Sequence, residues 1–152
     1  MSRAVSPVVG VVVLVGLTVL FGAGLLGLTE VGLSDPVPTV SLSLTVDGDE
    51  NSIVLSHRGG DTLDVSELDV RVAVESEELR YQPPVPFFAA DGFKSGPEGP
   101  FNSRSPNTFH AGERASVTLA ETNNPAIEAG TVVSVRLSVD NAVLFEETAT
   151  AT

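Results

Sequence analysis

One uncharged, apolar segment near the N-terminus constrains this chain more than any other feature. Residues 4–29 carry no charged side chain, and a single basic residue, Arg3, precedes them. Residues 8–28 are only Gly, Ala, Thr and large apolar residues. As an α-helix this stretch rises about 31 Å, close to the thickness of the hydrocarbon core of a bilayer. The sequence therefore predicts a hydrophobic transmembrane helix over 5–29.

The rest of the chain has the composition of a different, strongly acidic protein. The 152 residues have a net charge of −12, and Arg3 is the only charge before Glu30, so the remainder carries −13. Such a field repels nucleic acid, so no nucleic-acid partner is expected, and it suits a high-salt, halophilic setting. The chain has no cysteine, which excludes disulfides, thiol nucleophiles and Cys-based zinc sites.

Three interpretations of the apolar segment compete. A cleaved secretory signal has a shorter apolar run followed by a small-x-small cleavage site, and no good A-x-A site follows this one. A plain signal anchor that holds an external domain fits the length and the lone Arg3. The third interpretation places a processing site before the apolar run, so that the segment is kept in the mature protein.

The third interpretation comes from the residues that open the segment. Arg3, Ala4 and Val5, followed by Ser-Pro-Val-Val-Gly over 6–10, resemble the processing region of archaeal type IV pilins, in particular the haloarchaeal pilin N-terminal domain family. A weaker likeness is the His-Arg-Gly-Gly-Asp stretch over 57–61. The resemblance implies a leader over 1–4 and a prepilin peptidase that recognises Arg3 and Ala4. It also implies a mature chain that begins at Val5.

Within the segment, residues that start and pack a helix can be assigned. Ser6 is a suitable N-cap, and Pro7 suits the first helical position. Small residues let helices approach closely, although glycine is common in membrane helices in any case. The predicted helix-packing residues are Gly10, Gly16, Thr18, Gly22, Ala23 and Gly27.

After a linker over 30–39, the sequence alternates between apolar and polar residues. Leu42, Leu44 and Val46 lie between serines and a threonine, which is the period-two pattern of a half-buried strand. Similar runs recur over 68–74, 115–119 and 133–139, and 79–82 is a short strand candidate. About seven short strands predict an all-β, immunoglobulin-like sandwich head over 40–152.

The segment 83–107 is rich in proline and glycine and has no periodicity. It contains four of the seven phenylalanines, which either pack a flap or present an apolar patch to a partner. These candidate partner-loop residues are Phe87, Phe88, Phe93 and Phe101.

Polar groups elsewhere do not form a recognisable reaction site. His57 lies near Asp61 and Asp64, and Asp47 and Asp49 have the alternating spacing of calcium ligands. Turn-forming glycines surround both groups, however, and the twelve-residue calcium loop is missing. We therefore expect no enzyme activity, no metal and no cofactor.

These observations predict a type IV pilin-like structural subunit, processed by a prepilin peptidase and assembled with other pilin subunits through its N-terminal helix, with adhesion as a further role. The expected location is the cell membrane before assembly, single-pass with the head extracellular, and the cell surface or pilus afterwards. The alternatives are a membrane-anchored extracellular binding domain or a minor pseudopilin that forms no filament.

Overall fold

The structure, a computed structural model, describes residues 6–27 and 36–152. The chain divides into two units, Met1–Pro36 and Val37–Thr152. The described part of the first unit is one helix, α1 (Ser6–Gly27). The strands of the second unit, which we call the head, are β1 (Val40–Asp47), β2 (Ser52–Gly60), β3 (Leu63–Asp64), β4 (Asp69–Val74), β5 (Glu77–Glu78), β6 (Thr108–Phe109), β7 (Arg114–Thr118), β8 (Val132–Val139) and β9 (Ala142–Thr150), with 3-10 turns at Val65–Glu67 and Gly99–Phe101.

The predicted fold class is wrong for the whole chain, because it included a transmembrane helix. Within the described residues, no helix is both long and apolar enough to cross a membrane. The β-rich part of the prediction fits the head alone.

The head contains two principal antiparallel sheets. One sheet has the strand order β1-β2-β7, and the other has the order β5-β4-β8-β9. A two-stranded ribbon joins β3 to β6. Neighbours in each sheet are not all consecutive in the chain: the chain leaves the first sheet after β2, leaves the second after β5 to return to the first at β7, and crosses again to the second after β7. Buried side chains from both sheets form one hydrophobic core.

The alternation in the sequence explains which faces of the strands are buried. Leu42, Leu44 and Val46 are each at most 8% exposed, whereas the residues between them are exposed or half-buried. The tight turn between β8 and β9 forms at Asp140 and Asn141, whose φ angles are 47° and 67°. Asparagine and aspartate tolerate this left-handed region better than other non-glycine residues, and two such residues make the turn that suits a hairpin.

The strand predicted over 79–82 does not form, and a side-chain amide takes its place at the edge of β4. Leu79 donates its backbone N–H to the Val72 carbonyl at 3.1 Å. The Gln82 amide then bonds both backbone groups of Val72: its Oε1 accepts from the Val72 N–H at 2.7 Å and its Nε2 donates to the Val72 carbonyl at 3.0 Å. The Gln82 side chain therefore completes a strand edge that only the two-residue β5 would otherwise cover.

Replacing Gln82 by methionine should destabilise the head by about 1–3 kcal/mol. Methionine keeps the length of the side chain but leaves the amide of Val72, a residue 1% exposed, without its acceptor, and a buried unpaired donor costs about that much. Urea denaturation followed by circular dichroism measures the change. Asn107→Met, an equivalent replacement at an exposed position, is the control, and equal midpoints for the two variants would contradict the role of Gln82.

Candidate functional site

The surface of α1 is the first candidate site, because its described side chains, residues 7–21, are apolar or small and exposed. Every residue from 7 to 21 is exposed, and the large hydrophobic side chains range from 47% exposed at Leu17 to 71% at Leu20. The helix has no acidic residue in its first turn and no basic residue in its last. A helix that is apolar on all sides is normally buried by something else, so this surface is a candidate contact surface for a partner.

Small residues on α1 leave room for such a partner. A Cβ atom added at Gly10 or Gly16 would meet nothing within 4 Å. The hydroxyl of Thr18 donates to the carbonyl of Leu14 at 2.8 Å, so its polar atom is satisfied within the helix. These positions can therefore admit a neighbouring backbone without exposing an unpaired polar group.

The remaining sequence-predicted residues of this segment are less completely described. The helix begins at Ser6, and Pro7 stands in its first turn. Gly22, Ala23 and Gly27 belong to the helix, but the surroundings of their side chains lie outside the description. The predicted processing residues Arg3, Ala4 and Val5 lie outside the described residues altogether.

Most phenylalanines of the loop 83–107 pack into the core of the head. Phe87, Phe93 and Phe101 are 6%, 5% and 1% exposed, whereas Phe88 is 38% exposed. The Phe87 and Phe93 rings lie 5.6 Å apart, centroid to centroid, and the Phe101 ring lies 6.1 Å from that of Phe109. The structure thus separates the four candidates, with three in the core and only Phe88 available at the surface.

Arg104 covers the exposed ring, a contact that the sequence did not predict. Its Cζ atom lies 3.8 Å from the centroid of the Phe88 ring, which is a cation–π arrangement. The available signal was an arginine within a Phe-rich loop, but the spacing of 16 residues gave no reason to pair these two. Arg104 therefore covers one side of the Phe88 ring, which remains 38% exposed.

The His57 segment is part of the core. His57 is 1% exposed, and its Nε2 lies 2.9 Å from the Asp61 carbonyl oxygen. Its Nδ1 is buried without a hydrogen-bond partner, and the ring meets Phe109 edge-on with centroids 5.2 Å apart. The Asp61 carboxylate faces elsewhere and accepts the backbone N–H of Thr39 at 2.9 Å. This geometry serves packing and turn closure, not proton transfer to a substrate.

Two other candidate carboxylates, Asp64 and Asp47, form hydrogen bonds within their own turns. The Ser66 hydroxyl and backbone N–H donate to Asp64, and these hydrogen bonds lower the pKa of that carboxyl. Asp47 accepts the Glu50 backbone N–H at 2.9 Å, and the Asn51 side chain accepts the N–H of Ile127 at 2.9 Å. In the described ranges, no three His, Cys, Asp or Glu side chains are placed to hold a metal ion.

Comparison with known proteins adds no relative to this description. No protein-family model matches the chain, and a search of curated proteins found no match.

Proposed function

We propose that this protein is a structural subunit that assembles into a surface filament through its apolar helix, in the manner of a type IV pilin. The observation that carries the proposal is the exposure of every described side chain of α1, residues 7–21. A contiguous apolar surface of this extent marks an interaction site. Identical helices provide the most suitable cover, because their side chains are uncharged and their small residues allow close packing.

The charge of the head supports an arrangement in which heads surround a helical core. All 20 acidic residues and seven of the eight basic residues follow residue 29. Strong net charge keeps such domains solvated and resists their collapse onto each other. A filament with apolar helices inside and acidic heads outside separates the two kinds of surface completely.

Electron microscopy of cells with and without the gene tests the proposal, with antibodies against the head to label the filaments. Filaments that disappear with the gene and carry the label along their length support it. Label at rare points along a filament made of another protein would make this chain a minor subunit. A monomeric full-length chain under all conditions would refute assembly.

The resemblance of residues 3–10 to a prepilin processing site predicts the mass of the mature protein. We expect protein isolated from the producing cells to begin at Val5 and to lack the residues before it. Arg3→Ala should block this cleavage, because the basic residue addresses the peptidase, whereas Arg80→Ala in the head should leave it unchanged. Intact-mass spectrometry measures both, and an N-terminus at Met1 or Ser2 in the unmodified protein would exclude the processing site.

A further inference from the structure

The outer face of the sheet β1-β2-β7 differs from the rest of this acidic head. In the centre of the face, the outward side chains of three adjacent rows are mostly hydroxyl groups. Each row consists of residues that pair across neighbouring strands. Ser43 pairs with Ser56 in the first row, Thr45 with Val54 and Val54 with Ser116 in the second, and Ser52 with Thr118 in the third. We call this the hydroxyl face, and it comprises Ser43, Thr45, Ser52, Ser56, Ser116 and Thr118, of which Ser52, Ser56 and Ser116 are each at most 9% exposed.

Two arginines stand at one end of the hydroxyl face. Arg114 pairs with Ser56, and Arg58 lies two residues further along β2, so the two are diagonal neighbours with Cα atoms about 7–8 Å apart. Arg58 donates from Nε to the Ser43 hydroxyl at 2.9 Å. Both side chains are exposed.

These arginines differ from those of the other sheet in having no carboxylate partner. Arg71 lies 2.9 Å from Asp69, and Arg136 lies 3.1 Å from Glu146. Within residues 6–27 and 36–152, by contrast, no carboxylate oxygen lies within 4.0 Å of a side-chain nitrogen of Arg58 or Arg114. In a chain with 20 acidic and eight basic residues, two adjacent unpaired guanidinium groups form a site that suits carboxylates.

The opposite end of the same face carries the acidic β1–β2 turn, residues 47–51. Asp49 and Glu50 are exposed there. The turn is packed against the segment 127–129, because Asn51 bonds to Ile127 and a Cβ at Gly48 would clash with the Ala129 backbone nitrogen. The two ends are separated by the length of β2 from Ser52 to Arg58, which is about 20 Å along the strand.

The face is therefore positive at one end and negative at the other. The segment beside β7 adds one charge of each sign, Lys94 and Glu98, whose backbone groups bond to Thr118 and Ser116. Lys94 lies toward the acidic turn and Glu98, whose Oε2 is 3.4 Å from the Ser116 hydroxyl, lies toward the arginines, so these two charges oppose the polarity of the face but are outnumbered by Asp47, Asp49 and Glu50 at one end and by the two arginines at the other. Two different, complementary patches on one chain produce a head-to-tail contact that need not close, which is the geometry of a filament.

We propose that the acidic turn of one copy, through Asp49 and Glu50, docks on Arg58 and Arg114 of the next copy. The occupant is a second copy because the chain itself carries both halves of the complementary pair, at opposite ends of one face. This inference rests on the proposed function and adds to it a contact between heads, distinct from the contact between helices.

Charge reversal in the full-length chain tests the contact. Arg58→Glu with Arg114→Glu, or Asp49→Arg with Glu50→Arg, should each raise the concentration for half-assembly at low salt at least about tenfold, because like charges then meet. Arg71→Glu with Arg136→Glu is the matched control, since it makes the same charge change on the other sheet and should leave assembly unchanged. The difference should shrink at about 1 M salt, where the screening length is about 3 Å.

Recovery of assembly by compensating charge reversals distinguishes this specific contact from a general effect of net charge. The chain with all four reversals should assemble like the unmodified chain, because its turn is then basic and the opposite end of the face acidic. An equimolar mixture of the two double variants should also assemble, because the acidic turn of one can dock on the arginines of the other, and the basic turn of the second on the glutamates of the first. Sedimentation velocity and electron microscopy measure assembly, and thermal denaturation verifies that every variant is folded.

The outcomes distinguish this contact from the proposed function. If the unmodified chain assembles but neither the fourfold variant nor the mixture recovers, the head contact is wrong and the helix-based filament stands. If the chain forms short oligomers that respond to the reversals but no filaments, the head contact stands and the filament is wrong. A chain that stays monomeric at every concentration overturns both.

Discussion

Substituting Val12 by aspartate should abolish assembly while leaving the head folded. Val12 lies within α1 and is 64% exposed, so most of its side chain is available for a contact between copies. In an assembly of apolar helices, however, each copy would bury an uncompensated carboxylate. A buried charge without a partner costs about 3–5 kcal/mol, which is more than about a hundredfold in the concentration needed for assembly. Sedimentation and electron microscopy of the full chain measure the loss.

Val37 provides the control, because it lies outside α1 and every strand and is 56% exposed. Val37→Asp makes the same chemical change and adds the same charge, and it should assemble as the unmodified chain does. If Val12→Asp also assembles normally, then α1 is not the surface that joins the subunits, and the proposed function loses the observation that carries it. Equal far-ultraviolet circular dichroism of the two variants shows that the heads remain folded.

Most strands of the head could be predicted because a strand that is buried on one face alternates between apolar and polar residues in the sequence. In β8, Val133, Val135 and Leu137 are each 0% exposed, and the residues between them are polar. The same alternation of apolar and polar residues is present in β1, β4 and β7. Alternation shows which side chains share a face but not which strands are neighbours. The register that places Arg114 opposite Ser56 could therefore not be obtained from the sequence.

Elements without a periodic record were predicted less well. The helix is apolar on every side, so its sequence identifies neither a buried face nor the surroundings that cover it, and hydropathy alone led to the incorrect membrane span. The strand expected over 79–82 failed for another reason. There a side-chain amide from Gln82 substitutes for backbone pairing, and propensity does not report such a substitution. The bonding of Val72 depends on a contact between residues ten positions apart in the chain.

In the loop 83–107 the sequence likewise did not show which side chains are buried, as two neighbouring residues illustrate. Composition indicated a cluster of aromatic rings but not their direction. Phe87 and Phe88 are neighbours in the chain, yet the first is 6% exposed and the second 38%. The backbone N–H of Phe87 bonds to the Phe101 carbonyl at 2.9 Å, which fixes the loop against its own 3-10 turn. Whether a phenylalanine of this loop points inward or outward therefore depends on hydrogen bonds between distant residues, which a local sequence pattern does not predict.

Replacing Phe101 by alanine should destabilise the head by about 3–5 kcal/mol, the usual cost of removing a fully buried phenylalanine. Its ring is 1% exposed and packs beside Phe109, which links the loop to the core beneath β6. Phe101 stands in the 3-10 turn and Phe109 in β6, so filling the cavity would require separate segments to shift. Urea denaturation of the full chain, followed by circular dichroism of the β-structure, gives the change in the free energy of unfolding.

Phe88→Ala is the comparison that decides what the loop is for. Its ring is exposed on one side and meets Arg104 on the other, and a cation–π contact at an exposed site contributes about 0.5–1 kcal/mol. We therefore expect Phe88→Ala to lower the free energy of unfolding by about 1 kcal/mol, well below the loss at Phe101. Equal losses at the two positions would mean that Phe88 is as fully packed as its neighbours. A small loss at both would mean that the loop is not anchored in the core, and the aromatic cluster would then have to be explained by a partner.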